Sequence, residues 1–454
     1  MYDLIVLGGG PAGYLGAERA ANAGLKTCVI EKNALGGVCL NEGCIPSKTL
    51  LNSAKIYEHA KFGEKYGVTA ADVKLDQKAV VARRGKVVRA LVAGVGAKMK
   101  AAGVTVVKAE GRITGRADGG YQVEAGGEVY TARRLLIATG SSALVPPIPG
   151  VRENLGDFVI TNREVLELKE IPEKFVIIGG GVIGLEMAAY YAVAGAQVTV
   201  VEMLDHIAGP TDREISGMLQ KDLAKKGVTF HLNTKVVAVA PGKVVCEASG
   251  QTLEIPADKA LLSIGRRANT QGIGLETIGV ELNRGVIVTD ENCATNLEGV
   301  YAAGDCIGGI MLAHTAYREA EVAVNHMLGK RDRMRYGANP SVIYTHPEVA
   351  SCGITEEEAR EQGIDYEVKS LSMRYSGRFI AENEGEDGIC KILVHKKHRN
   401  LLGVHMLGNA SSEIIWGAAA LIESEMRVQD VKEIIFPHPT VSEIIREVVW
   451  EFND

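Results

Sequence analysis

The chain has 454 residues, a formal net charge of −6, 23% charged residues and 53 glycines. Its length exceeds one ordinary core and calls for about three domains, and the mildly acidic balance leaves no basic footprint for nucleic acid. Eight cysteines in so long a chain are too few for a secreted disulfide scaffold.

From Met1 the chain enters an apolar strand, Leu4 to Leu7, without the basic region and cleavage site of a signal peptide, so a cytoplasmic, bacterial protein is expected. The turn Gly8-Gly9-Gly10-Pro11-Ala12-Gly13 follows, then a helix to about Ala23, a strand from Thr27 to Ile30 and the acidic Glu31. In such a strand, turn and helix, Gly8 and Gly13 serve the turn and the helix packing. Gly10 lets the backbone reach a pyrophosphate, and Glu31 stands where a ribose hydroxyl needs an acceptor.

Next comes Gly36-Gly37-Val38-Cys39-Leu40-Asn41-Glu42-Gly43-Cys44-Ile45-Pro46-Ser47-Lys48. A bridge between Cys39 and Cys44 needs Cα atoms within about 7 Å, whereas five extended residues span about 17 Å, so a bridged chain must fold back here. Gly43 permits that, and Pro46 suits the first turn of a helix whose positive end would stabilise a thiolate. Two buried structural thiols are the alternative reading of the pair taken alone. Cys28, Cys246, Cys293, Cys306, Cys352 and Cys390 are scattered and read as packing residues.

Leu135 to Gly140 is a further buried strand, and Pro146, Pro147 and Pro149 mark a linker. The first pattern then recurs: strand Phe175 to Ile178, turn Gly179-Gly180-Gly181-Val182-Ile183-Gly184, a helix to about Ala194, strand Gln197 to Val201 and the acidic Glu202. First glycine and acidic residue are 23 positions apart in both copies. Two dinucleotide sites are implied. The long apolar stretch from Phe175 to Val201 is thus strand, turn, helix and strand, and no membrane span is expected. Ala260 to Gly265 closes the second sheet, and Val300 to Asp305 is a strand with an acid just past its end. From Arg331 to Pro340 the chain crosses to a last region with strands at Ile389 to Val394 and Leu401 to Leu407 and helices at Glu356 to Gln362 and Glu413 to Glu423, an α+β pattern.

Four motifs resemble the pyridine nucleotide-disulphide oxidoreductases along nearly the whole chain. They are the Cys39/Cys44 run, the Gly179 to Glu186 fingerprint, Ala303-Gly304-Asp305 with Met311-Leu312-Ala313-His314, and His438-Pro439-Thr440-Val441-Ser442-Glu443. The closest likeness is to the branch that oxidises dihydrolipoyl groups. The resemblance implies an α/β fold with two Rossmann-like dinucleotide-binding domains and a C-terminal α+β dimerisation domain. Expected boundaries are 1–147 for the FAD domain, 148–267 for the NAD domain, 268–336 for a return to the FAD domain and 337–454 for dimerisation.

By the same resemblance, FAD is held by Gly8, Gly10, Gly13, Glu31, Lys48, Thr139, Gly140, Asp305 and Ala313, and NAD by Gly179, Gly181, Gly184, Glu186, Glu202 and Gly265. Lys48 and Glu186 are implied to pair near the flavin. Glu202 would repel a 2′-phosphate, and Met203 to Asp212 supplies no Lys or Arg to receive one, so NAD is expected rather than NADP. The resemblance also implies that Cys39 faces the substrate and Cys44 the flavin, and His438, oriented by Glu443, is the candidate base. His314 and His346 are read as structural or flavin-side residues. Phe436 departs from the pattern, since many such enzymes carry a second His there.

The implied partners are a second copy of the chain, donating His438 across the interface, and a lipoylated carrier domain or protein, with an acyltransferase core as a further possibility. No metal, nucleic acid or membrane is expected. The alternatives are another FAD-dependent disulfide reductase or a slowly turning docking subunit. A metal-ion reductase fits poorly because no cysteine follows Cys390.

Overall fold

Short apolar runs preceding the two glycine turns lie inside two sheets, the first mixed and the second parallel, in the computed structural model, which describes residues 1–453. The chain divides into two units. Met1–Thr49, Ala82–Leu144 and Arg266–Arg335 form the first; Leu50–Val81, Val145–Gly265 and Tyr336–Asp454 form the second.

In the first unit the strands run Thr105–Val107, Thr27–Ile30, Tyr2–Leu7, Glu128–Ile137, Gly120–Ala125 and Gly111–Ala117. Strand Val300–Ala302 pairs in parallel with Leu135 to Ile137. Strand Tyr2–Leu7 reads as an unbroken apolar run because it is covered on both faces. Leu4 and Val6 pack into one core cluster, Ile5 and Leu7 into another, and all four are buried. Helix Pro11–Asn22 follows, with Pro11 at its first position, where no amide donor is required.

The second unit repeats this plan with strands Thr229–His231, Gln197–Val201, Lys174–Ile178, Lys259–Leu262 and Val159–Ile160, all parallel. Phe175 and Ile177 face one core cluster, Val176 and Ile178 the other. A three-stranded antiparallel sheet, residues 235–256, follows. Beyond residue 340 five antiparallel strands form a sheet in the order Ser341–Ile343, Val349–Gly353, Leu401–Leu407, Ile389–His395 and Tyr366–Ser372. Helices Ser411–Glu423 and Glu443–Trp450 pack on it through Ile415, Ala418, Ile444, Ile445, Val448 and Val449.

Candidate active site

Cys39 and Cys44 are bridged, with Cα atoms 4.7 Å apart. Two helices bring them together: Gly37–Glu42 carries Cys39, and Cys44–Lys61 begins at its partner. Gly43, with φ −147° and ψ −109°, breaks the path between them. The short first helix was not foreseen, because two glycines open it and glycine disfavours helix. Asn41 Nδ2 donates to Leu35 O and Gly37 O at 3.1 and 2.8 Å, bracing this bend. Lys48 lies one turn after Cys44 on the same helix.

This segment is fixed to the first glycine turn. Gly36 N–H donates to Gly9 O at 2.7 Å, and a Cβ on Gly37 would stand only 2.6 Å from Gly10 Cα. The disulfide segment therefore sits against the turn through Gly37, which must lack a side chain.

The two turns share the same local geometry. Gly8 and Gly179 have φ of +101° and +104°. A Cβ on Gly13 would lie 1.9 Å from Gly8 O, and one on Gly184 2.3 Å from Gly179 O, so these positions are demanded by packing alone. Around the middle glycines space is left: the nearest atom to an added Cβ is 3.7 Å away at Gly10 and 4.0 Å at Gly181. Neither following helix has a side-chain cap, which leaves N-terminal amide donors for an anionic group. Glu31 Oε2 accepts from Gly9 N–H at 2.6 Å and its Oε1 from Asn33 N–H at 2.7 Å. Glu202 repeats this with Gly180 and Leu204 at 2.6 and 2.8 Å. Both acids are thus aimed by the turn they serve, and a pyrophosphate with its ribose fits each.

Asp305 lies three residues past strand Val300–Ala302, at the start of a short 3-10 turn, and its Oδ2 accepts from Ser141 Oγ. Arg266 Nε donates to the same Ser141 Oγ at 2.7 Å, and its second nitrogen to Ser141 O at 2.8 Å. Asp305 Oδ1 has no partner among the described residues and is available to a ligand hydroxyl. Ser141 and Arg266 were missed from sequence. The signal was present, since each directly follows a singled-out glycine, Gly140 or Gly265. Thr139 Oγ1 donates to Asn269 O at 2.7 Å, and Asn269 Nδ2 returns to Thr139 O at 3.1 Å. Ala313 opens helix Ala313–Met327, again without a side-chain cap. Buried Glu319 on that helix accepts from Gly304 N–H at 2.7 Å and so ties the helix to the Asp305 turn.

In the second unit Glu186 is buried on helix Val182–Val193, and its Oε1 accepts from Tyr344 N–H at 3.0 Å. His346 Nε2 lies 3.7 Å from Glu386 Oε1, which also meets Lys65 Nζ at 3.3 Å. His438 Nδ1 lies 3.0 Å from Glu443 Oε1, and Glu443 Oε2 accepts from Thr440 N–H at 2.8 Å. Those bonds, Thr440 first, hold the Glu443 carboxyl below its ordinary range. A carboxylate only accepts, so the Glu443 contact favours the His438 tautomer with its proton on Nδ1. The His438 side chain is 80% exposed. The six remaining cysteines are buried, and burial raises each thiol, to about 11 for Cys28 and Cys246 and about 12 for Cys306 and Cys352, which keeps them protonated and inert.

The family model described as pyridine nucleotide-disulphide oxidoreductase matches residues 2–320. The chain belongs to that family. Residues 339–449 match the family's dimerisation domain, which supports a homodimer. Dihydrolipoyl dehydrogenase of Bacillus subtilis is 38% identical, with 98% of this chain and 97% of that protein covered. The mitochondrial dihydrolipoyl dehydrogenase of Sus scrofa is 40% identical over 98% of this chain and 89% of its own length. Among solved structures, LpdA from Mycobacterium tuberculosis matches with a TM-score of 0.90 at 27% identity and 99% coverage of both chains. The flavoprotein disulfide reductase RclA of Escherichia coli matches with a TM-score of 0.87, also at 27% identity, over 99% of both chains. No helix among the described residues is long and apolar enough to cross a membrane.

Proposed function

We propose that the protein oxidises carrier-bound dihydrolipoyl groups to lipoyl groups and reduces NAD+ to NADH. The observation that carries this reading is the Cys39–Cys44 bridge, fixed by Gly37 to the first dinucleotide turn, in a chain whose relatives include dihydrolipoyl dehydrogenases. One substrate thiol gives its proton to His438 Nε2 and attacks Cys39 Sγ. A mixed disulfide forms and Cys44 leaves as a thiolate. The second substrate sulfur then closes the lipoyl ring and expels Cys39, so the substrate loses two electrons and the cysteine pair gains them. Glu443 holds His438 in the tautomer this needs and stabilises its imidazolium.

FAD, when bound, supplies the relay that takes the electron pair from the cysteines and passes hydride to the nicotinamide. Gly8, Gly10, Gly13, Glu31, Thr139, Gly140, Asp305 and Ala313 are the residues for its pyrophosphate, ribose and ribityl chain, with Lys48 near its ring. Gly179, Gly181, Gly184, Glu186, Glu202 and Gly265 serve NAD. Glu202, already engaged by two amides, presents a fixed negative charge that disfavours a 2′-phosphate. In a homodimer His438 would serve the partner's disulfide, which accords with its exposure in the single chain and with exposed Ile435 and Trp416 in the same domain. A cytoplasmic location completes the reading. Steady-state turnover of dihydrolipoamide with NAD+ should exceed that of oxidised glutathione with NADPH, and the reverse order would refute it.

A further inference from the structure

Helix Gln77–Ala101 carries seven Lys or Arg and no Asp or Glu in 25 residues, within a chain of net charge −6. We propose that its solvent face, around Lys86, Arg89 and Lys100, docks an acidic carrier domain that brings the dithiol to Cys39; this rests on the dithiol oxidation proposed above.

Arg84, Val95 and Met99 define the buried side of the helix, while Lys86, Arg89 and Lys100 fall within about 60° of one another on the opposite side. All three are exposed and none forms an ion pair among the described residues. An isolated surface helix gains from acidic partners at i+3 and i+4, and here that gain is forgone along its whole length. Exposed Ala82, Ala90, Ala93 and Ala97 separate the cations, so no large side chain stands in front of them.

The glycines are a second sign. An added Cβ at Gly94 or Gly96 would meet nothing within 4 Å, so packing within the chain does not require glycine there. Each costs the helix roughly 1 kcal/mol relative to alanine. Gly96 borders the face of Lys86, Arg89 and Lys100, where close approach of another molecule accounts for it. A two-fold contact of this face with its own copy would set like charges together, which disfavours a second copy as the occupant.

The face also leads to the right place. Arg83 donates to Thr49 O at 3.1 Å, and Thr49 lies on the helix that begins at Cys44. From Arg83 the helix continues for roughly 26 Å to Lys100, a rail of positive charge beginning beside the disulfide helix.

The test compares wild-type holoenzyme with K86E/R89E/K100E, using NAD+ and two reduced substrates: free dihydrolipoamide, and an acidic lipoyl domain from a 2-oxo acid dehydrogenase acyltransferase. The variant should raise KM for the lipoyl domain by at least about tenfold and leave turnover of free dihydrolipoamide unchanged. Added NaCl should raise the wild-type KM for the domain, and amidating the domain's carboxylates should abolish the difference between the two enzymes. An unchanged KM for the domain overturns the proposal, as does equal loss with both substrates. A changed oligomeric state on sedimentation also overturns it, in favour of a second copy on this face. If wild-type enzyme fails to oxidise free dihydrolipoamide, the dithiol reading itself falls, a result distinct from all of these.

Discussion

His438 Nδ1 is held 3.0 Å from Glu443 Oε1 while the other Glu443 oxygen accepts the Thr440 amide at 2.8 Å. The Glu443 carboxyl that meets His438 is therefore itself held by the turn between them. His438→Gln should lower dihydrolipoamide oxidation by about 100-fold or more while NADH still reduces the bound flavin in stopped-flow. Loss of both half-reactions would assign His438 a structural role.

Glu443→Gln keeps the shape but removes the charge that supports the imidazolium. Because the Glu443 carboxyl lies below its usual range, it remains ionised as pH falls through that range, and its support is lost only lower, through the depressed value. The pH–rate profile of the variant should differ from wild type at neutral pH and converge toward it in strong acid. Superimposable profiles would remove Glu443 from the proton path.

The two cysteines are expected to be inequivalent. Cys39→Ser leaves Cys44 as a thiolate beside oxidised flavin and should show a long-wavelength absorption band, whereas Cys44→Ser should not. The opposite pattern would exchange their roles.

Middle and third glycines should fail differently. Gly181→Ala enters open space, so Tm should change little while KM for NAD+ rises about tenfold. Gly184→Ala drives a Cβ to 2.3 Å from Gly179 O and should cost several kcal/mol, on the order of 3, in urea titration. A stable, active Gly184→Ala protein would contradict the geometry described for this turn.

Glu386 is held at about 2, chiefly by His346, whose Nε2 lies 3.7 Å away, against an ordinary value of 4.5. A depressed carboxyl contributes stability above its unfolded value and loses it as pH falls, here between about 4.5 and about 2. That contribution is on the order of 2 kcal/mol after solvent screening. Glu386→Gln should lower the denaturation midpoint at pH 7 and leave it near wild type at pH 2.

Much of this protein was legible in the chain because its signals are local. Strand, glycine turn and helix lie within about thirty residues, so spacing alone located Gly8, Gly10, Gly13 and Glu31 and their counterparts Gly179, Gly181, Gly184 and Glu202. The spacing of Cys39 and Cys44 raised a bridge, and the family likeness then added their roles and His438 with Glu443. What required tertiary structure were relations between distant segments. Ser141 and Arg266 beside Asp305 escaped notice because 125 positions separate the first two, and no periodicity records a hydrogen bond across such a gap. Likewise Gly37 reads as one more glycine in a rich stretch. Only the folded chain brings it against Gly10, where a Cβ on Gly37 would push the redox disulfide off the dinucleotide turn.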